Sequence, residues 1–125
     1  MKVELGGSLV SFSLFDTSAL ERGLDLCVLR NNVISQNTAN ANTPGYVAKT
    51  VLFEEQMRAF ERTETGKPHE GPFVKSPTVV ETSGKVDIVT EMAELAKNQI
   101  LYSAYTTRLT KHFSDLEWII QNAGR

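Results

Sequence analysis

Apolar residues recur at alternating spacings of four and three along the last third of the chain. The positions that share this spacing are Ile88, Met92, Leu95, Gln99, Tyr102, Thr106, Leu109, Phe113, Leu116 and Ile120. A mean repeat of about 3.5 residues is typical of a left-handed coiled coil. With Asp87 as a good N-cap, the pattern predicts one coiled-coil helix over residues 87–123, about 55 Å long at about 1.5 Å per residue.

A second helical pattern lies in the first third of the chain. Its seam comprises Leu20, Leu24, Cys27, Asn31, Ile34, Thr38 and Ala41. Asp16 can cap this helix, or Ser18 and Glu21 can form a capping box instead. Pro44 disfavours helical geometry in the residue before it. The sequence therefore predicts a second coiled-coil helix over residues 16–43.

Two long helices at the two ends of the chain predict an all-α fold in which they pair as an antiparallel coiled coil. Each helix also carries a second apolar stripe beside its seam. These stripes comprise Leu26, Leu29 and Val33 on the first helix, and Ala93, Ala96 and Ile100 on the second. Two helices cannot cover both stripes of each other, and large exposed apolar patches mark interaction surfaces. The sequence therefore predicts that identical or related chains cover the remaining faces.

The segments outside these helices carry weaker patterns. Residues 1–15 contain Gly and Ser and predict a flexible N-terminal segment. Residues 44–86 predict a turn followed by a loop or extended middle segment. A short helix over Phe53–Arg62 and short β-structure in "TVVETSGKV" both fit its residues. We expect residues 1–15 and 63–86 of the isolated chain to be partly disordered and to order on assembly.

Composition limits the class of protein. The chain has 125 residues, of which 41% are hydrophobic and 22% charged, with a formal net charge of −2. These values predict a folded, soluble chain, and no basic excess points to nucleic acid. The longest apolar run is too short for a membrane span or a signal-peptide core. The residues alone therefore predict a cytoplasmic protein.

Few residues could carry chemistry. Cys27 is the single cysteine, so no disulfide within the chain is expected, and its seam position predicts a buried structural thiol. His69 and His112 show neither metal-ligand spacing nor a pattern that pairs a base with this thiol. Neighbouring carboxylates such as Glu54 and Glu55 are typical of solvated helix faces. We therefore expect no enzyme activity and no bound metal, cofactor or small-molecule substrate.

The stretch "NTANANTPGYVAKT" joins the first helix to the middle segment. Pro44 fixes φ at the second position of a β-turn, and Gly45 permits the positive φ that a type II turn needs at the third. The Asn side chains before the turn can bond the last helical carbonyls, and Tyr46 supplies an amphipathic anchor after it. On physical grounds the stretch is either an ordinary helix C-cap or a junction with another backbone.

The same stretch resembles the signature of the bacterial flagellar rod and hook family. Members share an N-x-A-N-x-x-T-P-G-Y block near the N terminus, which lies here within "NNVISQNTANANTPGYVAKTVLFEEQM". The segment "VDIVTEMAELAKNQILYSAYTTRLTKHFSDLEWII" is similar to the C-terminal helix of the small proximal-rod members. The resemblance covers roughly residues 18–60 and 84–122. It departs from the pattern at Val47, where many members have a basic residue, and at Lys85, where Asn is common.

The resemblance implies a structural subunit of the flagellar basal-body proximal rod. Family members pair their terminal helices and pack with neighbours into a helical tube that transmits torque and surrounds the export channel. They pass through the flagellar type III export apparatus without a cleaved signal peptide, which moves the expected location to the periplasmic span of the basal body. Expected partners are further copies of the chain, other rod proteins, the rod–membrane-ring junction protein and the export apparatus. The alternatives are another rod protein of the family and a cytoplasmic helical-hairpin export chaperone or adaptor.

Two sets of residues are the candidate sites. The motif, which the resemblance implies is a turn at a subunit junction, comprises Asn37, Ala39, Asn40, Ala41, Asn42, Thr43, Pro44, Gly45 and Tyr46. The predicted coiled-coil core or interface comprises Leu20, Leu24, Cys27, Ile34, Ile88, Met92, Leu95, Tyr102, Leu109, Phe113, Leu116 and Ile120. Asn31, Gln99 and Thr106 interrupt these seams. They are either polar residues tolerated near an edge or devices that fix the register of the helices.

Overall fold

The computed structural model describes residues 2–5, 8–11, 17–64 and 78–124. In chain order the elements are β1 Lys2–Leu5, β2 Ser8–Ser11, α1 Ser18–Ala39, β3 Lys49–Val51, α2 Phe53–Glu64, β4 Val79–Glu81 and α3 Ile88–Asn122. The fold is mostly helical, with long helices near both ends of the chain and two small sheets. The short helix and the short β-structure that both fitted the middle segment occur together.

The helix ends follow from local hydrogen bonds. At the start of α1 the N-cap is Thr17, whose hydroxyl donates to the Glu21 carboxylate, whereas the predicted cap Asp16 lies outside the described residues. The helix stops at Ala39, four residues earlier than predicted. The Gln36 carbonyl accepts from the Asn40 backbone N–H at 3.1 Å and from the Asn40 side chain at 2.8 Å, and so the Asn40 side chain adds a second bond at the helix end. At the start of α3, Asp87 is the N-cap, as predicted, and its carboxylate accepts from a backbone N–H at 3.1 Å.

Helices α1 and α3 contact each other along most of the length of α1. Asn37, near the end of α1, bonds to Glu91 near the start of α3. Earlier in α1 the Cys27 carbonyl accepts from Asn98, which lies further along α3. Because the contacts run in opposite order along the two helices, the helices lie side by side in opposite directions. Whether their side chains interlock as in a coiled coil stays a prediction.

The same register leaves the end of α3 beyond α1. Gly23 of α1 lies against Tyr105 of α3, so the first residue of α1 falls opposite roughly Thr110. The remaining dozen or so residues of α3 extend about 18 Å further at about 1.5 Å per residue. Among the described residues, no other element packs against this end of α3.

The chain between the helices is tied together by a two-stranded sheet. Strands β3 and β4 are antiparallel, with Lys49 opposite Glu81 and Val51 opposite Val79. The Thr82 amide extends this pairing by donating to the Ala48 carbonyl at 2.7 Å. Helix α2 starts directly after β3 and packs on α1. The strands therefore hold both flanks of the 65–77 segment, which lies outside the described residues.

Strands β1 and β2 form a second antiparallel hairpin, with Val3 opposite Val10. This hairpin lies in the region for which the sequence predicted a flexible segment. The rest of that region, residues 1, 6–7 and 12–15, lies outside the described residues.

The hydrophobic core lies where α1, β3 and the start of α2 meet. Its buried members are Leu26, Cys27, Val33, Val51 and Phe53, and Leu29, Met57, Val79, Leu101 and Tyr105 pack against them. The predicted burial of Cys27 is confirmed. The prediction for the second stripe of α1 is wrong, because Leu26 and Val33 are buried inside the subunit and are not left for neighbours. Phe53, two residues after the end of β3, packs into this core together with the α1 stripe.

No helix within residues 17–64 and 78–124 is long and apolar enough to span a bilayer.

Candidate assembly surface and motif turn

The motif forms the turn that its Pro and Gly predict. Gly45 has a φ of 76°, and the Tyr46 amide donates to the Thr43 carbonyl at 3.2 Å, as a type II turn requires. The Thr43 hydroxyl donates to the Asn40 side chain at 3.2 Å and ties the turn to the end of α1. Thr43, Pro44 and Gly45 are all exposed. The turn therefore presents its tip to solvent at the end of α1.

Asn37 is the centre of a hydrogen-bond network behind this turn. Its side chain is fully buried, with 0% of its surface exposed. The amide nitrogen donates to the Lys49 carbonyl at 2.7 Å and to the Glu91 carboxylate at 3.0 Å. The amide oxygen accepts from the Lys49 amide at 2.9 Å and from the Tyr46 hydroxyl at 3.1 Å. An Asn side chain has two donors and two acceptor sites, so the hydrogen-bonding capacity of Asn37 is used completely.

The motif therefore has an inner and an outer part. Asn37 is buried and Tyr46 is half-buried, and both bond within the chain. The outer part is exposed and comprises Ala39, Asn42, Thr43, Pro44 and Gly45, with Asn40 and Ala41 half-buried beside it. Only the outer part is available to a neighbouring chain, and its place at a subunit junction stays a prediction.

The face of α3 that meets α1 differs from the predicted seam. Its buried or half-buried residues are Glu91, Glu94, Leu95, Asn98, Leu101, Tyr105 and Leu109, and the half-buried His112 and Leu116 continue the same side of the helix beyond α1. Three predicted seam residues, Leu95, Leu109 and Leu116, lie on this side of α3. The other five are exposed, and we call them the flank stripe: Ile88, Met92, Tyr102, Phe113 and Ile120. At about 100° per residue the flank stripe lies about 80° around the helix from the α1 contact.

A second exposed apolar stripe runs along the far side of α3. We call it the outer stripe, and it comprises Val89, Ala96, Ile100 and Trp118. Val89 is 77% exposed and Trp118 is 66% exposed. The outer stripe lies about 120° from the flank stripe and nearly opposite α1. The predicted exposed residues Ala93, Ala96 and Ile100 lie on or next to it and are exposed.

On α1 the predicted seam is only partly buried. Cys27 and Ile34 are buried, whereas Leu20 and Leu24 are half-buried. The contact face instead follows Gly23, Leu26, Arg30, Val33 and Asn37, all of which are buried. Hydrophobicity alone could not find it, because it contains a glycine, an arginine and an asparagine.

Two residues missed by the sequence reasoning make a close contact across this interface. A Cβ placed on Gly23 would lie 2.6 Å from the Tyr105 ring. The Tyr105 ring also meets Phe53, with ring centroids 6.4 Å apart. A glycine within a helix costs about 1 kcal/mol relative to alanine, which is the signal that a close approach was needed there.

Arg30 is a buried cation at the edge of the core. Its guanidinium lies 4.5 Å from the Phe53 ring centroid and 3.8 Å from the Glu54 carboxylate. It lines a cleft of about 390 Å³ between α1, β3 and the start of α3, where Lys49, Lys85 and Glu94 also lie. Burial raises the pKa of the nearby Cys27 thiol, and the Arg30 charge opposes this effect. Cys27 therefore stays a protonated core residue at neutral pH.

The three polar residues proposed as register devices are all exposed. Asn31 and Gln99 face solvent, and the Thr106 hydroxyl donates to its own helix, to the Tyr102 carbonyl. The polar residue of α3 that is buried is Asn98, the neighbour of Gln99. The Asn98 side chain donates to the Cys27 carbonyl at 2.8 Å. Within the subunit, the polar contacts between the helices are therefore made by other residues than those predicted.

The geometry offers surfaces for association and few groups for chemistry. Within the part of the chain that the structure describes, no three His, Cys, Asp or Glu side chains cluster as metal ligands. Within residues 17–64 and 78–124, the exposed features suited to association are the two apolar stripes of α3 and the motif turn.

Comparison with known proteins agrees with this picture. No protein-family model matches the chain. The chain is similar to the flagellar basal body rod protein FlgB of Bacillus subtilis (strain 168), with 28% identity over 115 residues, covering 81% of this chain and 89% of that protein. It is also similar to the flagellar basal body rod protein FlgB of Borrelia hermsii, with 28% identity over 123 residues, covering 80% of this chain and 91% of that protein. Both matches span most of each protein, so the similarity to flagellar basal body rod proteins FlgB extends along most of this chain.

Proposed function

We propose that the protein is a structural subunit of the flagellar proximal rod and that it assembles helically through the exposed faces of α3. The observation that carries this proposal is the pair of apolar stripes that α1 leaves uncovered. Three flank-stripe or outer-stripe residues, Phe113, Trp118 and Ile120, are 56%, 66% and 72% exposed. Exposed apolar surface of this extent marks a protein–protein interface.

The angle between the stripes favours an open assembly over a closed pair. A helix that packs on α3 covers a face about 100° wide. The flank stripe and the outer stripe are about 120° apart, so one partner helix cannot cover both. At least two neighbours are needed, in addition to α1 of the same chain. Contacts of this kind between different faces generate rings or helical filaments.

The end of α3 beyond α1 extends the same argument. It carries Phe113, Trp118, Ile119 and Ile120, which are all exposed. A projecting helix with apolar side chains can insert between neighbouring subunits, as one strand of a helical bundle does. We therefore assign this end to contacts with further copies of the chain or with other rod proteins.

The remaining roles follow from the family. Helices α1 and α3 form an antiparallel coiled coil in the assembled rod, and the exposed tip of the motif turn lies at a subunit junction. The assembly transmits torque and surrounds the export channel. The chain reaches the periplasmic span of the basal body through the flagellar type III export apparatus and contacts the rod–membrane-ring junction protein. The role is structural, with no substrate or cofactor.

The test is a charge placed on the flank stripe. Phe113→Glu and Tyr102→Glu should each prevent incorporation into basal bodies and abolish swimming. In the assembled rod a neighbouring chain would bury the new carboxylate without a partner, which is strongly unfavourable. The matched control is Ala104→Glu, which puts the same charge on the same helix between the outer stripe and α1. Circular dichroism of the purified variants should match that of the parent chain, since all three positions are exposed.

Incorporation into basal bodies and the location of the parent chain separate a rod subunit from a cytoplasmic export chaperone or adaptor. Basal bodies purified from cells that carry Phe113→Glu together with Tyr102→Glu should lack the chain. If these cells build normal basal bodies and swim, the assembly surface is elsewhere. If the parent chain stays in the cytoplasm as a dimer when the export gate is intact, it is an adaptor and not a rod subunit.

A further inference from the structure

We infer that Asn37 sets the register of α1 against α3, so that the buried part of the motif acts inside the subunit and not between subunits. We call the set of Asn37, Tyr46, the Lys49 backbone and Glu91 the register latch. The inference concerns the fold of a single chain and does not depend on the proposed rod function.

The first argument is geometric. The Asn37 amide makes four bonds to three segments: the turn, β3 and α3. Hydrogen bonds lose their geometry within a few tenths of an ångström, whereas moving α3 by one residue displaces it by about 1.5 Å. Any slip would therefore remove the Glu91 bond and leave a fully buried amide donor unpaired.

The second argument is that the leucines of α3 cannot set the register by themselves. Leu95 and Leu109 face α1, and Leu116 continues the same side of α3 one heptad further on. Apolar burial is non-directional, so a shift by one heptad would bury similar area. Directional contacts are needed to choose among these registers, as a single buried Asn does in coiled coils.

A second directional contact agrees with the latch. Asn98, one heptad after Glu91, is buried and donates to the Cys27 carbonyl at 2.8 Å. It fixes the middle of the helix pair in the same register in which the latch fixes one end. The latch also ties β3 and the turn to this register, and so it determines where the exposed stripes of α3 lie relative to the motif tip.

The test compares two asparagines of the same motif in the full-length chain at low concentration. Asn37→Asp puts a carboxylate against the Glu91 carboxylate and the Lys49 carbonyl. Asn40→Ala is the control, since the Asn40 side chain bonds only to residues three and four positions away. Urea unfolding followed by circular dichroism should show at least a tenfold larger unfolding constant for Asn37→Asp, and about threefold or less for Asn40→Ala.

The register itself is read by spin labels. Cysteines replace the exposed residues Asn32 and Lys97 in a chain that carries Cys27→Ala, and the distance between the labels is measured. The parent should give one narrow distance distribution. Asn37→Asp should broaden it or add a second distance, and a slip by one heptad moves the helices by about 10 Å. Adding Glu91→Gln, which supplies a donor to the new carboxylate, should restore the parent distribution.

The inference fails if Asn37→Asp keeps one narrow distance and unfolds like Asn40→Ala. If Asn37→Asp does not fold, Tyr46→Phe removes a single latch bond and takes its place. It should raise the unfolding constant about threefold to tenfold. A Tyr46→Phe chain with the stability and the label distance of the parent would also overturn the inference.

Discussion

Replacing Gly23 with alanine should destabilise the subunit, although alanine is the better helix former. The gain in helix propensity is about 1 kcal/mol. Against it stands a new Cβ that would lie 2.6 Å, 2.8 Å and 2.9 Å from three carbons of the Tyr105 ring. The ring tip must move by almost 1 Å to restore ordinary contact. Overpacking of this kind costs about 1–3 kcal/mol, so we expect a net loss of about 1 kcal/mol.

The Tyr105 ring has little room for such a movement. The ring packs against the buried core, and its centroid lies 6.4 Å from that of Phe53, the first residue of α2. A displaced Tyr105 therefore pushes on the contact between α3 and the core. The strain is expected to appear as a lower free energy of unfolding and not as a local rearrangement.

The sign of the effect should reverse when the ring is shortened. Tyr105→Leu removes the ring atoms that the new Cβ would meet. In that background Gly23→Ala should stabilise the chain by about 1 kcal/mol, through helix propensity alone. The two measurements then differ by about 2 kcal/mol, a coupling typical of residues in direct contact. Urea denaturation of the four chains measures it, and the reasoning is refuted if Gly23→Ala is equally stabilising in both backgrounds.

Three further predictions concern polar groups. Asn98→Ala should lower the free energy of unfolding by about 1 kcal/mol because it removes a buried hydrogen bond between the helices, whereas Gln99→Ala at the exposed neighbour should change it by less than about 0.5 kcal/mol. Burial raises the pKa of the Cys27 thiol above its ordinary value of 9.0. The buried thiol therefore contributes fully to stability below pH 9, and this contribution is lost as the pH rises through the raised pKa. Above pH 9, the urea midpoint of the Cys27→Ala chain should fall less with pH than that of the parent chain. The hydrogen bond from the Thr90 hydroxyl lowers the pKa of Asp87 below its ordinary value of 3.8. The Asp87 carboxylate therefore contributes fully to stability above pH 3.8, and this contribution is lost as the pH falls through the lowered pKa. Stability measured by circular dichroism should change less with acid in the Asp87→Ala chain than in the parent chain.

The positions of the helices and the turn could be predicted because their signals are local. Asp87 caps α3, and Pro44 with Gly45 builds the turn, through contacts within four residues. The β1–β2 hairpin also has a local signal. The pair Gly6-Gly7 stands between the alternating stretches "KVEL" and "SLVS" and is typical of a two-residue hairpin loop.

The faces of the helices could not be predicted because hydrophobicity does not say which surface will cover an apolar residue. Leu26 and Phe113 are equally good core residues by composition, yet Leu26 is buried by its own chain and Phe113 is exposed. The predicted heptad seam combined these two kinds of position. The true contact face was hidden because Asn98 and Glu91 occupy places in it that an apolar seam would give to leucine.

The contact face of α3 contains buried polar residues, while apolar residues of α3 stay exposed, and this distribution has a consequence for assembly. Helix α3 offers α1 three apolar or mixed faces, and the hydrophobic effect alone would let α1 settle on any of them. The face that α1 occupies is the one that supplies partners for the buried amide of Asn37 and for the Cys27 carbonyl. Placing α1 on the flank stripe would take the Glu91 carboxylate away from the buried Asn37 amide, and an unpaired buried donor costs about 1–3 kcal/mol. Hydrogen bonds therefore decide how the chain folds on itself, and the apolar stripes that they leave free are available for contact with other chains.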